Sequence, residues 1–458
     1  MKQQVTAVFD IGKTNKKFFL FDQDFHQVFR EYASFEPVYD EDGYPTEDLA
    51  ALQSWLKGLF NRILNAEKYQ VKAINFSSYG ASFVHLDENG EVLTPLYNYT
   101  KPIDQQVVDC FFARYGPQEV LAQRTGSPDG GLLSSGLQLY WLKHSKPEIW
   151  QKVRYSLHLP QYLNYIFTGI PLSEYTSIGC HTGLWDYEKK DYHAWVYTEE
   201  IHKKLPPIVS TETSINMNYN GRRMQIGMGI HDSSAAMIPY IRSISKPFIL
   251  VSTGTWSIAL NPFADHQLLS ATEIQESCLN YMRINGKAVK ATRLFIGNEY
   301  NLQVKKLVTY FGVPADHHME VKFNEALFYR LSDRFSAHFK WESLGIKQTL
   351  AQTRLEFDSF EEALHQLMIE LVLLQVAKIK TVLGQQQIEN LYIDGGFSDN
   401  DIFIKLLSHY LRDMTLHTTS ASLGSAVGAA ICISDTKLNA GFLEKNYSLK
   451  KHFPFIFK

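Results

Sequence analysis

The stretch VTAVFDIGKTNKKFFLF, residues 5–21, holds two apolar runs of strand length, 5–9 and 18–21, joined by a small and polar turn from Asp10 to Lys17. Runs of that length bounded by Gly and Asn predict a strand, a turn and a second strand. The turn has the chemistry of a phosphate grip. Gly12 frees backbone N–H groups, Thr14 and Asn15 add hydroxyl and amide donors, and Lys16 and Lys17 close it with positive charge. Gly12-Lys13-Thr14 imitates the end of a nucleotide-binding P-loop, but Ala7 stands where that loop needs its first glycine and the segment leads into a strand instead of a helix. By itself, an ordinary polar hairpin would also account for it.

Working outward, the arrangement returns at FILVSTGTWSIAL, residues 248–260, as a strand, a Gly-centred turn over 252–255 and a second strand. The two copies suggest a diverged duplication. Between them, 73–76, 83–86 and 91–93 are expected to be short strands, with Glu88-Asn89-Gly90 turning between the last two. Residues 138–142 and 160–167 are expected to be helices covering that sheet. A long helix is predicted after Ser359, where Ser359 and Glu362 have capping-box spacing, and Gly384 is its expected stop. A strand over 391–393 then runs into Asp394-Gly395-Gly396 and a helix from Asn400; a Gly-rich strand-to-helix turn often approaches a phosphate or ribose. Alternating strands and helices in both halves indicate an α/β fold.

A chain of 458 residues exceeds one ordinary core and predicts two lobes. With 45 basic and 48 acidic residues the net charge is −3, which gives no overall field for nucleic acid or an anionic membrane and favours a small-molecule partner. Cys110, Cys180, Cys278 and Cys432 have no CxxC spacing, against a disulfide framework or a zinc site and in keeping with a reducing cytoplasm. MKQQVTAVFDIG starts a strand pattern without a charged-then-apolar leader, and no apolar run approaches the ~20 residues of a membrane helix, so a cytoplasmic location is expected.

One further acid stands out. Asp232 lies in GIHDSSAA, residues 229–236, where small residues after an acid suit a helix start at a cleft; a plain N-cap aspartate is the simpler alternative, as a structural histidine is for His231.

In this order the segments resemble the FGGY family of carbohydrate kinases, whose members share the actin and hexokinase type of ATPase fold. DIGKTNKK is similar to the family's first phosphate loop, STGTWS (252–257) to its second, DGGFSDN (394–400) to its adenosine loop and GIHDSSAA to its catalytic-aspartate segment. INFSSYGASFVHLDENGEVLTPLYN (74–98) resembles the sugar-binding strand and hairpin, and LYWLKHSKPEIW and LPQYLNYIFTG resemble the covering helices. Three positions depart from the family pattern: Gln138 replaces a common lysine, the helix before the adenosine strand lacks its glycine over 369–380, and Tyr99-Thr100-Lys101 replaces an acid-containing pair expected in the sugar site.

The resemblance implies two actin-like (ribonuclease H-like) ATPase domains around a cleft: 1–243, binding sugar and carrying the catalytic acid, and 244–458, binding nucleotide. It implies that Asp232 accepts a proton from a sugar hydroxyl, that Asp10 holds Mg²⁺ through water, and that Thr14, Asn15 and Lys16 contact the phosphates of ATP, with Thr253, Gly254 and Thr255 closing from the other lobe. Gly395, Gly396, Asn400 and Gly424 would lie against adenosine; Ser78, Tyr79, Gly80, Tyr99 and His231 would line the sugar site with Asp232. His231 and the text PLYNY (95–99) are similar to the rhamnulose and fuculose kinases, which implies a 6-deoxy-ketohexose such as L-rhamnulose or L-fuculose, with a pentulose or glycerol as the alternative. A non-catalytic sugar sensor of the same fold is the alternative of another class, disfavoured by the acid at 232. A monomer or homodimer is expected.

Overall fold

The computed structural model describes every residue except 1, 129–130, 265, 334–335, 347–349, 351, 421–422 and 456–458. Residues 5–21 form the expected hairpin, β1 (Gln3–Ile11) and β2 (Lys16–Phe21), antiparallel with Asp10 opposite Lys17 and Ile11 opposite Lys16. The turn is tighter than expected, closed by Gly12 N–H donating to the Asn15 carbonyl at 3.0 Å, so Asp10 and both lysines belong to strands. Strand periodicity then sorts the side chains. Val5, Ala7, Phe9, Phe18 and Leu20 enter one core, while Val8, Phe19 and Phe21 enter another on the opposite face.

With β3 (Gln27–Ala33), β4 (Tyr69–Ser78), β5 (Ser214–Tyr219), β6 (Arg222–Gly227) and β7 (Ile230–His231), the hairpin builds a sheet of order β5-β6-β4-β1-β2-β3, β7 pairing with the end of β4. Helices α1 (Leu49–Asn65) and α3 (Leu159–Thr168) cover its outer face through Leu52, Leu56, Phe60, Tyr162 and Leu163, and α2 (Ser135–Ser145) packs beyond them. Residues 91–93 do not form the expected strand. Leu86 and Val92 make a single bridge, and the segment Phe83–Leu86 pairs instead with Tyr155–His158, a buried four-residue ladder that exposed Glu91 and Val92 could not replace.

The second hairpin, β8 (Phe248–Thr253) and β9 (Ser257–Asn261), heads a sheet that adds β10 (Cys278–Met282), β11 (Ala288–Leu294), β12 (Asn390–Gly395), β13 (Thr415–Thr418) and β14 (Lys450–His452), in the order β10-β11-β9-β8-β12-β13-β14. Both sheets share one path: an antiparallel hairpin, a third antiparallel strand beside its second, and two parallel strands beside its first. Helices α5 (Ile296–Phe311), α6 (Phe360–Leu383) and α7 (Asp401–Tyr410) bury Leu307, Leu367, Leu371, Phe403 and Leu407 against it. Ser359 caps α6 by accepting from Glu362 N–H, but the Glu362 carboxylate accepts from Asp358 N–H and pairs with Arg330, so only half of the expected capping box forms.

Helices α4 (Asp232–Ser243) and α8 (Gly424–Cys432) fill the space between the sheets; Ala235, Ile238 and Tyr240 of the first meet Ala426, Ala429 and Ala430 of the second in one core with Val8, Phe19 and Leu250. Gly428 permits the crossing, since a Cβ there would stand 1.8 Å from the Ala235 carbonyl oxygen. Among the described residues no helix is long and apolar enough to cross a membrane.

Candidate active site

Strands β8 and β9, the end of β12 and the first turns of α4 and α8 enclose a cavity of about 270 Å³ lined by Asp232, Ser233, Leu250, Ser252, Ile258, Asp394, Gly424 and Ser425. Neither N-cap residue, His231 or Leu423, caps its helix with a side chain, and both helices direct backbone N–H groups and the positive end of the helix dipole to this region. That suits phosphate oxygens.

Asp232 is the first helical residue of α4, and His231 occupies the cap position, so the N-cap reading does not hold. One oxygen of the carboxylate accepts from its neighbour Ser233, by N–H and hydroxyl, and lies 3.2 Å from His231 Nε2. A third of the side chain is open to the cleft (35%) although protein surrounds it deeply, and this poor hydration raises its pKa to about 6, opposed by Ser233 and Lys17. Burial holds His231 neutral, its pKa lowered to about 3; its ring stacks on Tyr281 at 5.4 Å and its Nε2 also lies 3.2 Å from Cys180 Sγ. The neutral ring lies beside the carboxylate, while its Nε2 makes its hydrogen-bond contact with Cys180.

Asp10, on β1, faces the same region, accepting from Ser425 Oγ at 3.0 Å with Lys17 Nζ at 3.8 Å. Its pKa is raised, first by burial and also by the charge of Asp232, against the opposing pull of Lys17, Ser425 and Ser77. A buried carboxylate flanked by hydroxyls and only partly compensated fits a hard, oxygen-seeking cation such as Mg²⁺.

The structure does not bring Lys16 into this group. On β2 it shares the face of Phe18 and Leu20, so its ammonium is buried beneath the hairpin, 2.6 Å from Glu47 and donating to the Lys13 carbonyl at 3.0 Å. Lys17, one residue on, shares the face of Phe19 and Phe21 and is the cation that meets Asp10. Period-two alternation from Asp10 across the hairpin was the signal that could have found it. Thr14 and Asn15 are exposed at the tip.

The second hairpin is tied to the Asp394-Gly395-Gly396 turn. Thr253 Oγ1 donates to the Asp394 carbonyl at 2.6 Å and accepts from Phe397 N–H at 3.0 Å, so this hydroxyl serves the scaffold and not a phosphate. Gly395, at φ 88°, is packed so that a Cβ would lie 1.9 Å from the Thr253 carbonyl oxygen. Gly254, Thr255, Gly396 and Asn400 line a separate cavity of about 320 Å³, together with Gly297 and Tyr300 of α5, His318 and Lys322. Gly424 is not there. As the first residue of α8 it lines the cavity that also holds Asp232; residues 421–422 of its segment lie outside the described residues. Asp394, Ser425, Tyr300 and His318 were not singled out by sequence; the acid ending a strand before Gly-Gly was the available cue for the first.

Among the residues expected to bind sugar, Ser78 ends β4 opposite His231, and Gly80 packs so closely that a Cβ would lie 2.8 Å from Cys180 Sγ and 3.2 Å from the His231 ring. Tyr79 and Tyr99 meet at 6.2 Å, and Tyr99 lies within the field of Asp232. Gln138 is buried in α2 and donates to the Ala81 carbonyl at 2.6 Å, holding the loop after Tyr79. Lys101 departs from the group expected there: its ammonium is sealed between Asp40 at 2.7 Å and Asp42 at 2.5 Å, amid Tyr44, Tyr97 and Trp141.

The sequence model of the FGGY family of carbohydrate kinases, N-terminal domain, matches residues 5–234. A rhamnulokinase of Oceanobacillus iheyensis is 26% identical over 220 residues, 45% of this chain and 44% of the relative, and a xylulose kinase of Lactococcus lactis is 27% identical over 191 residues, 40% and 36%. The chain thus spans about half or less of the length of the curated relatives it matches. The crystal structure of a carbohydrate kinase from Novosphingobium aromaticivorans superposes with a TM-score of 0.81 at 21% identity, over 98% of this chain and 96% of the other. That likeness establishes the two-domain actin-like fold. With the family match reaching across half of the sequence, from the first hairpin to the segment carrying Asp232, the chain belongs to the FGGY family of carbohydrate kinases.

Proposed function

We propose that the protein transfers the γ-phosphoryl group of ATP to a hydroxyl of a small ketose bound in the cleft between an N-terminal sugar domain, 1–243, and a C-terminal nucleotide domain, 244–458. The observation that carries this reading is the meeting of Asp232 and the first turns of α4 and α8 on one cavity, with Asp10 tied to its wall through Ser425 and Lys17 beside Asp10. Asp232 accepts the proton of the attacking hydroxyl; a carboxylate with a pKa near 6 is largely ionised at neutral pH yet basic enough to take it. Ser233 holds the carboxylate in place, and the neutral ring of His231 packs beside it. Lys17 and the helix N-termini stabilise the phosphate oxygens as their charge redistributes. Asp10 is the residue that would hold Mg²⁺, which neutralises those oxygens when bound. Adenosine occupies the cavity lined by Gly396, Asn400 and Tyr300, and Gly254 and Thr255 at its edge bring the second hairpin toward the phosphates.

For the acceptor we favour a 6-deoxy-ketohexose, L-rhamnulose or L-fuculose. His231 beside the base supports it, as does likeness to a rhamnulokinase; a pentulose is the second reading, supported by likeness to a xylulose kinase. ADP release measured over a panel of ketoses and polyols with Mg²⁺ and ATP tests both levels. The highest kcat/KM is expected for a 6-deoxy-ketohexose; a tenfold preference for D-xylulose or glycerol would overturn the substrate and leave the kinase, and no acceptor at all would overturn the kinase.

A further inference from the structure

The first hairpin carries three lysines with three fates. Lys17 meets Asp10 and Lys16 is buried on Glu47, but Lys13 serves neither end. Its ammonium lies 5.4 Å from the centre of the Tyr79 ring and 5.3 Å from that of Tyr99, a third of the side chain exposed, and 4.0 Å from Glu47. Glu47 is already engaged by Lys16 at 2.6 Å, so one carboxylate faces two ammonium groups and Lys13 stands at the outer limit of an ion pair. An ammonium has three N–H donors to satisfy.

The wall behind it is firmly built. Glu47 bridges backbone to backbone with Leu96, the Thr46 hydroxyl donates to the Leu96 carbonyl, Asn98 Nδ2 donates to the Pro45 carbonyl at 3.0 Å, and Lys101 staples the two segments through Asp40 and Asp42. Glu47 and Tyr99 are thereby presented as one surface. That surface continues to the base: Tyr79 leads directly into Gly80, which packs on His231, and Tyr99 feels the charge of Asp232. The half-buried Tyr99 ring with a cation beside it, backed by buried Tyr79, stands at one end of a patch whose other end is a proton acceptor and matches a polyol: ring C–H groups lie on the Tyr99 face and a hydroxyl remote from the reacting one meets the cation.

We infer that Lys13 is a specificity-determining residue of the acceptor site, donating a hydrogen bond to a hydroxyl of the sugar that is not phosphorylated. This rests on the kinase reading above. Burial lowers the Lys13 pKa against the opposing pull of Glu47 and with a smaller push from Lys16, a sign that its ammonium is partly stripped of water, where a charge-assisted hydrogen bond to a ligand counts for more.

The test is steady-state kinetics of Lys13→Met and Lys13→Arg with the best ketose of the panel, ATP and sugar varied separately, beside thermal melting without ligand. Loss of a hydrogen bond that a polar site is built to make is expected to raise the sugar KM by about tenfold or more in Lys13→Met, with partial recovery in Lys13→Arg, while the KM for ATP and the melting temperature stay at the wild-type values. A rise in the ATP KM with the sugar KM unmoved would assign Lys13 to the phosphates and overturn the inference, as would no change in either. A wild-type protein that binds ATP but phosphorylates nothing in the panel overturns the kinase reading, and this assignment with it.

Discussion

The two hairpins that head the sheets share a register and differ in chemistry. Counting back from each turn, Asp10 opposite Lys17 on β1 and β2 corresponds to Ser252 opposite Ile258 on β8 and β9. In both, the first residue of the pair shares a face with side chains that enter the core between the sheets, Val8 in one and Leu250 in the other. One copy carries a charged pair and the other a hydroxyl and an isoleucine. One backbone register thus carries two chemistries: the second copy covers the cavity of Asp232 with Ser252 and Ile258, while the first sets the charged pair Asp10 and Lys17 beside it through Ser425. The covering copy is in turn secured by hydrogen bonds, through Thr253, that have no counterpart at Ile11.

The largest expected effect lies just beyond the charged copy. Asp232→Asn is expected to lower kcat by ~10²-fold or more with ATP binding retained, the scale of losing a general base. Wild-type kcat in this variant would leave the hairpin charges without a catalytic partner. The same residue sets a pH dependence. Its active form is the carboxylate, so kcat/KM is expected to fall about tenfold per pH unit below an apparent pKa near 6, and to be flat just above it. Stability has the opposite sign. The folded pKa exceeds the unfolded value near 3.8, so the native state binds the extra proton between roughly pH 4 and 6, stability declines as pH rises through that window, and the ionised group disfavours folding above it. Asp232→Asn is accordingly expected to melt no lower than wild type at pH 8 and to lose any advantage at pH 4, as followed by circular dichroism.

Charge exchange between the copies sharpens the comparison. Ser252→Asp would set a carboxylate in the cavity beside Asp232 and Asp394, and repulsion of the phosphates is expected to raise the KM for ATP by roughly tenfold. An unchanged KM would place the phosphates away from the second hairpin. The smallest effect belongs to the scaffold of the uncharged copy: Thr253→Val leaves the Phe397 N–H without its buried acceptor and is expected to cost about 1–3 kcal/mol in denaturant unfolding, with kcat little changed.

Sequence alone determined much of this. The strand, turn and strand of residues 5–21, its return at 248–260, the acid at 232 and the Gly-Gly turn at 395–396 are local patterns, set by side-chain period and by turn chemistry within a few residues, and they carried the fold class and the family resemblance. Alternation even contained the answer for Lys17 over Lys16, once Asp10 is known to lie on a strand and not in the turn. What only the tertiary structure decided is which groups share a space. Ser425 reaches Asp10 across 415 positions of sequence, Gly424 opens the cavity of Asp232 instead of the one lined by Asn400, and Tyr300, near the start of α5, joins Gly396 by meeting His318 and Phe397. Lys101, within the stretch that replaces the family's sugar-site pair, is a buried staple, because its partners Asp40 and Asp42 lie about sixty residues earlier. Local pattern follows from the backbone geometry of neighbouring residues; the meeting of distant charges depends on how cores pack, and no local period records that.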